Sequence, residues 1–199
     1  MTLQLTKKHN FDVVYDSQSV FRRILDAMSN PTKVVNIEEC AGKFSCEQKT
    51  FLAVAATLLD NEIGFCVCGD DTLADEIISQ TLAEKEELTS ADFIFVCDLD
   101  YMKYAIENAK IGTLSDPHKS ATVVISNDGE PNCLLTFCGP GINGQTTVQV
   151  TQTVKDAIML RDEQHYEYPQ GIDLFFVSSN GDLIAVPRLV TAVGDSYED

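Results

Sequence analysis

The sequence predicts an α/β domain of three layers, a mixed β-sheet covered by helices on both faces. Segments with helical spacing alternate with short apolar runs along nearly the whole chain. Ala91 to Cys97, Ala121 to Ile125 and Ile172 to Val177 carry few polar residues, as strands covered on both faces do. Turn clusters such as Asn127-Asp128-Gly129 and Asn180-Gly181 separate later runs, which brings hairpins and antiparallel pairs into the sheet. With 199 residues and neither repeats nor a linker, one domain is expected.

Residues 1 to 16 read as irregular, anchored by Phe11, Val13, Val14 and Tyr15. From Ser17 to Met28, Val20, Phe21, Ile24, Leu25 and Met28 recur at helical spacing, and Ser29-Asn30-Pro31 ends the helix. Lys33 to Ile37 reads as a short strand. A second helix spans Cys46 to Leu59, with Phe51, Leu52, Val54, Ala55, Leu58 and Leu59 on its apolar face. Asn61 to Gly69 reads as a turn and a buried strand. Asp70-Asp71-Thr72 supplies caps for a helix through Gln80. The strand Ala91 to Cys97 follows, then a helix capped by Asp98 or Asp100 and running to Lys110. Ala121 to Ile125 and Cys133 to Phe137 are expected to form a hairpin around Asn127 to Pro131. Val148 to Arg161 reads as a helix, although Thr151 and Thr153 oppose it. Ile172 to Val177 and Leu183 to Val186 form a final strand pair. The acidic tail from Gly194 to Asp199 is expected to fray.

Charge narrows the function. The 31 acidic and 14 basic residues leave −17, a surface that repels phosphate backbones and anionic lipid. Nucleic-acid and membrane-surface binding are therefore disfavoured, and docking on basic partners fits better. No apolar run reaches membrane-spanning length and the start lacks an apolar signal core, so a cytoplasmic location is expected. Seven cysteines, an odd number scattered through strand-like segments, fit reduced and mostly buried thiols rather than a disulfide framework.

The richest stretch for chemistry runs from Gly112 to Ile125. Asp116, His118, Lys119 and Ser120 gather around Pro117 just before a core strand, on a corner that Asp-Pro stiffens. Asp116 and His118 offer an acid/base or metal-ligand pair. A metal centre needs three or four ligands, however, and the chain has only three histidines, His9, His118 and His165. A corner in which Asp116 caps a turn is the simpler reading. Lys119 beside a strand invites a pyridoxal-phosphate Schiff base. Gly139-Pro140-Gly141-Ile142-Asn143-Gly144 matches G-x-G-x-x-G, yet β-branched residues follow where a helix must start, so it reads as a turn that doubles the chain back. Cys66-x-Cys68 puts two thiols on one strand face, too few for zinc. Arg22, Arg23 and Arg188 are candidates for phosphate contacts, or equally for internal ion pairs. Arg161 and His165, set among Asp162, Glu163 and Gln164, read as a solvated face, with Arg161 paired to a neighbouring acid.

Several segments also carry a family resemblance. Gly112-Thr113-Leu114-Ser115-Asp116-Pro117-His118-Lys119-Ser120-Ala121 resembles the signature of PhnH, a subunit of the bacterial carbon–phosphorus lyase system for phosphonate breakdown. Phe21 to Ser29, Thr57 to Glu62, Cys138 to Ile142, Tyr168 to Asp173 and Pro187-Arg188 match in order, spanning roughly residues 11 to 190. The resemblance implies a fold like the pyridoxal-phosphate transferases without the cofactor, and a homodimer when alone. It also implies partners of the PhnG, PhnI, PhnJ and PhnL types. That complex is associated with forming ribose 1-alkylphosphonate 5-triphosphate from ATP and an alkylphosphonate, before a radical subunit breaks the carbon–phosphorus bond. The family pattern has arginine at Lys119, which argues for a positive charge there rather than a Schiff base. It also has glycine at Thr32 and threonines at Leu189 and Val190. The competing expectation is a self-sufficient enzyme, using Lys119 with pyridoxal phosphate or Asp116 and His118 as a hydrolase.

Overall fold

The structure, a computed structural model, describes residues 9–193. In chain order the elements are α1 (Tyr15–Ser29), β1 (Val35–Asn36), α2 (Glu38–Ala41), α3 (Lys49–Leu58), β2 (Gly64–Cys68), α4 (Asp71–Thr81), β3 (Glu84–Lys85) and β4 (Phe93–Val96). There follow α5 (Met102–Asn108), β5 (Thr122–Ser126), β6 (Cys133–Cys138), β7 (Gln145–Val150), α6 (Gln152–Asp162), β8 (Asp173–Val177), β9 (Asp182–Val186) and β10 (Thr191–Val193). Among the described residues no helix is long and apolar enough to cross a membrane.

A seven-stranded mixed sheet runs β1-β9-β8-β5-β4-β2-β3. Strands β2, β3, β4, β5 and β8 are parallel neighbours, and β9 turns back against β8 and β1. Alternation along the strands splits the interior. Phe65, Phe95, Val124 and Phe175 face α1, α3 and α4, whereas Ile94, Val123, Leu174 and Phe176 face α5 and α6. The second layer also contains a three-stranded antiparallel sheet, β10-β6-β7, whose Leu135, Phe137 and Val150 join that core. The expected three layers are present, with this small sheet as an addition.

Most elements lie where the hydrophobic spacing put them, and several corrections follow from packing. The β5–β6 hairpin does not form: β5 pairs in parallel with β4 and β8, while β6 pairs with β7 and β10. The turn after Ser126 carries the chain from one sheet to the other. Val148 to Val150 belong to β7, and the helix expected from Val148 begins after Thr151, whose hydroxyl accepts the Val154 N–H at 3.2 Å. The helix expected from Cys46 begins at Lys49, with the short α2 before it. Val13, Val14 and Tyr15 are exposed, so of the four expected anchors Phe11 packs inward, stacked on Phe44 at 4.4 Å. Phe21 and Leu25 also face outward, and Val20, Ile24 and Ala27 carry α1's buried face instead. The Asp70 carboxylate caps α4 as expected, accepting from Thr72 and Leu73 N–H. The acidic tail lies outside the described residues.

Candidate functional site

The corner from Gly112 to Ser120 leads into β5 at the centre of the sheet. It closes through a 3-10 turn at Pro117–Lys119 and a bridge between Ile111 and Ser120. Gly112 has φ +75, and a Cβ there would stand 2.8 Å from the Pro117 carbonyl, so the corner folds tightly only on glycine. Thr113 Oγ1 accepts the Asp116 N–H at 2.9 Å. The Asp116 carboxylate then takes a hydrogen bond from Lys119 Nζ at 3.2 Å. The Lys119 side chain is 65% exposed. His118 is exposed, and among the described residues no carboxylate lies within ion-pair distance of it. Asp116 and Lys119 thus neutralise each other, and His118 faces solvent beside them.

Arg188 holds this corner to the rest of the chain. Its guanidinium donates to the Pro117 carbonyl and, at 3.0 Å, to Asp173 Oδ2, while its backbone N–H donates to Asp173 Oδ1 at 2.8 Å. Gln170 donates to the Gly112 carbonyl at 2.9 Å. The segments Gly112–Ser120, Tyr168–Asp173 and Pro187–Arg188, quoted separately in the sequence, form one connected assembly.

Two clefts flank Arg188. One, of about 540 Å3, also has His165, Tyr166, Tyr168 and Gln170 in its wall. The other, of about 400 Å3, lies against Met28, Pro140, Gly141 and Leu189. Burial raises the Tyr166 phenol's pKa above its usual value, so it remains a hydrogen-bond donor at neutral pH. Beneath the larger cleft Arg161 is fully buried, not on a solvated face, and it pairs with Asp162 as expected. All five of its N–H groups are spent on Asp162 and on the carbonyls of Val186, Pro187 and Val190. Asp162 in turn accepts the Ala192 N–H at 3.0 Å. The cleft is close to neutral: Arg161 faces Asp162 and Arg188 faces Asp173. Such a wall suits hydrogen bonding and ring stacking better than capture of a highly charged anion.

Arg22 and Arg23 do not join Arg188. They line a separate surface depression on α1 with Tyr15, Gln18, Ser19 and Asp26. The glycine segment after β6 is the turn of the β6–β7 hairpin, with Cys138 opposite Gln145. Gly141 has φ +85, and a Cβ there would meet Pro31 Cδ at 2.7 Å, so the tip of the turn packs against the end of α1. No disulfide joins any of the seven cysteines, all of which lie among the described residues. Asp173 and Arg161 were not singled out as site residues, because a buried charge declares itself only when its partners are in place.

The chain matches the family described as bacterial phosphonate metabolism protein (PhnH) over residues 9–193. The chain belongs to the PhnH family. It is also 28% identical over 176 residues to a putative C-P lyase subunit protein HtxG of Stutzerimonas stutzeri, covering 86% of this chain and 83% of that protein. The corner, its Arg188 brace and the glycine turn all lie within the matched residues. Thr32, where the resemblance leads one to expect glycine, has a backbone that glycine favours, with φ +77.

Proposed function

We propose that this PhnH-family chain is an assembly subunit of a carbon–phosphorus lyase complex and is inactive alone. It supports formation of ribose 1-alkylphosphonate 5-triphosphate from ATP and an alkylphosphonate, acting with PhnG-, PhnI-, PhnJ- and PhnL-type subunits. The isolated chain is a homodimer in the cytoplasm, and its sheet is of the pyridoxal-phosphate transferase kind with no cofactor of its own. One observation carries this reading: the charged groups of the signature corner and of its brace pair with one another within the chain. Lys119 pairs with Asp116 outside both clefts, and Arg188 braces Asp173 and the Pro117 carbonyl. A Schiff-base lysine needs a cavity around its amine and a general base needs a positioned partner, whereas Lys119 is largely exposed outside both clefts and His118 faces solvent.

Co-expression of the chain with the four partner types, followed by native mass measurement, tests the proposal. A stable complex containing the chain, with no turnover of ATP or phosphonate by the chain alone, is the expected result. Turnover by the isolated chain that His118→Ala abolishes would overturn it in favour of a hydrolase. A visible aldimine absorbance lost in Lys119→Ala would overturn it in favour of a pyridoxal-phosphate enzyme.

A further inference from the structure

The first helix carries two faces, and the fold uses one. Val20, Ile24 and Ala27 are buried against the sheet and α3. A second series, Val14, Gln18, Phe21, Leu25 and Met28, recurs at alternating steps of four and three, the seam spacing of paired helices. Phe21 is 48% exposed and Leu25 53% exposed. The series does not end at the helix terminus, because Met28 opens into the 400 Å3 cleft walled by Pro140, Pro187 and Leu189. Scattered apolar residues on a surface are ordinary; a seam continued by a groove marks a place where something docks.

Charge says what kind of partner. Nine cationic side chains sit in ion pairs within the chain. Among the described residues Arg22, Arg23 and Lys155 stand outside that set, in a chain whose net charge is −17. Arg22 follows Phe21 directly and so flanks the seam, the position from which paired helices exchange salt bridges. Asp26 shares their depression, but Lys33 already holds its carboxylate at 2.7 Å, so neither guanidinium has an ion pair of its own and carboxylates of a partner can supply one. Exposed aromatic and arginine side chains together are also the composition of interface anchors.

We propose that α1 is the surface by which this chain docks on another subunit, through an amphipathic helix of that subunit that bears carboxylates beside its apolar stripe. The inference rests on the subunit reading above and adds the face and the chemistry of its partner. From Val14 to Met28 the seam is about 21 Å long, matching roughly four turns of a partner helix. A second copy of this chain docked symmetrically on the same face would set Arg22 against its own counterpart, which argues against self-pairing there.

The test is co-expression with the PhnG-, PhnI-, PhnJ- and PhnL-type proteins, comparing the wild-type chain, Phe21→Ala/Leu25→Ala, Arg22→Glu/Arg23→Glu and Lys155→Glu. Alanine and glutamate are good helix formers, so α1 is retained; far-UV circular dichroism and thermal melting check this. The expected result is full incorporation of the wild type and of Lys155→Glu, with at least about tenfold less of both α1 variants. Incorporation of the α1 variants at the wild-type level overturns the docking face and leaves the subunit reading standing. Failure of every chain, wild type included, overturns both. If the α1 variants enter the complex but no longer dimerise alone, α1 is the self-association face and the inference is wrong.

Discussion

Arg188 reaches one carboxylate, Asp173, through both its backbone and its guanidinium, and the same guanidinium holds the Pro117 carbonyl. Removing it strands a carboxylate that is only 12% exposed. Arg188→Ala is therefore expected to cost about 3 kcal/mol in urea denaturation, and Arg188→Lys to recover little, since one ammonium does not reproduce the fork. Thr32 occupies the left-handed region at φ +77, where a β-branched side chain is strained. Thr32→Gly is expected to raise stability by roughly 0.5 kcal/mol, the released strain exceeding the added freedom of the unfolded chain. The thiols of Cys66 and Cys68 interact on β2. Cys68 donates to the Cys66 sulfur, and this lowers the Cys66 pKa to about 7, outweighing partial burial. The same contact raises Cys68, and burial pushes Cys97 up to about 12. Cys66 should therefore be alkylated faster than Cys97 near neutral pH, and Cys68→Ala should slow it by raising its pKa. Mass spectrometry of iodoacetamide-treated protein across pH 6 to 9 checks this; an unchanged Cys66 profile in Cys68→Ala would refute it.

At the scale of elements, α6 shows what local chemistry does well. Thr151 opens the helix by accepting the Val154 N–H and donates to Asn127 Oδ1 at 2.5 Å, which ties the helix start to the end of β5. Thr151→Ala is expected to cost about 1–2 kcal/mol, and Thr151→Ser much less, read by thermal melting. Of the two threonines that weaken a helix from Val148, Thr151 is the boundary between β7 and α6 and Thr153 lies within the helix, so the conflict at Thr151 was informative. Spacing located β2, β4, β5, β8 and β9 because burial leaves a pattern in the strand itself. It misjudged the partner of β5, because β5 and β6 both have inward-facing apolar residues and nothing in either run names its neighbour. The two-residue strands β1 and β3 were too short to leave a period at all. The same logic separates the site residues. The glycine and proline turns were legible from local chemistry, but Asp116 does not cap the corner as expected: its N–H donates to Thr113 Oγ1 and its carboxylate takes Lys119. The Arg188–Asp173 pair joins positions 15 residues apart and required the fold. The helix α1 was located correctly and assigned too wide a buried face, since helical spacing cannot tell a core stripe from a docking stripe.

For the molecule as a whole, acidity sets the conditions of stability. Burial alone would raise the pKa of Asp16, but bonds from Lys43 and the Asp12 backbone outweigh it and hold the carboxyl below its usual 3.8. A depressed carboxyl stabilises the fold above the ordinary value of 3.8 and loses that contribution as pH falls through its lower folded value. Lys43→Met should therefore move the acid-unfolding midpoint upward, followed by circular dichroism from pH 5 to pH 2. Self-repulsion from a net charge of −17 is also screened by salt, so melting temperature should rise between low and roughly 0.5 M ionic strength. The large sheet is blunted at its margins by strands of two residues, β1 and β3. The small sheet has no such guard. Strand β7, Gln145–Val150, is an outermost strand of six residues with neither charge nor proline. Its unsatisfied row of backbone donors and acceptors is a template on which any extended chain can crystallise. Stored by itself at high concentration, the protein should slowly form strand-stacked aggregates that bind amyloid dyes. A single lysine on that margin, Gln149→Lys, should delay them without altering the melting temperature.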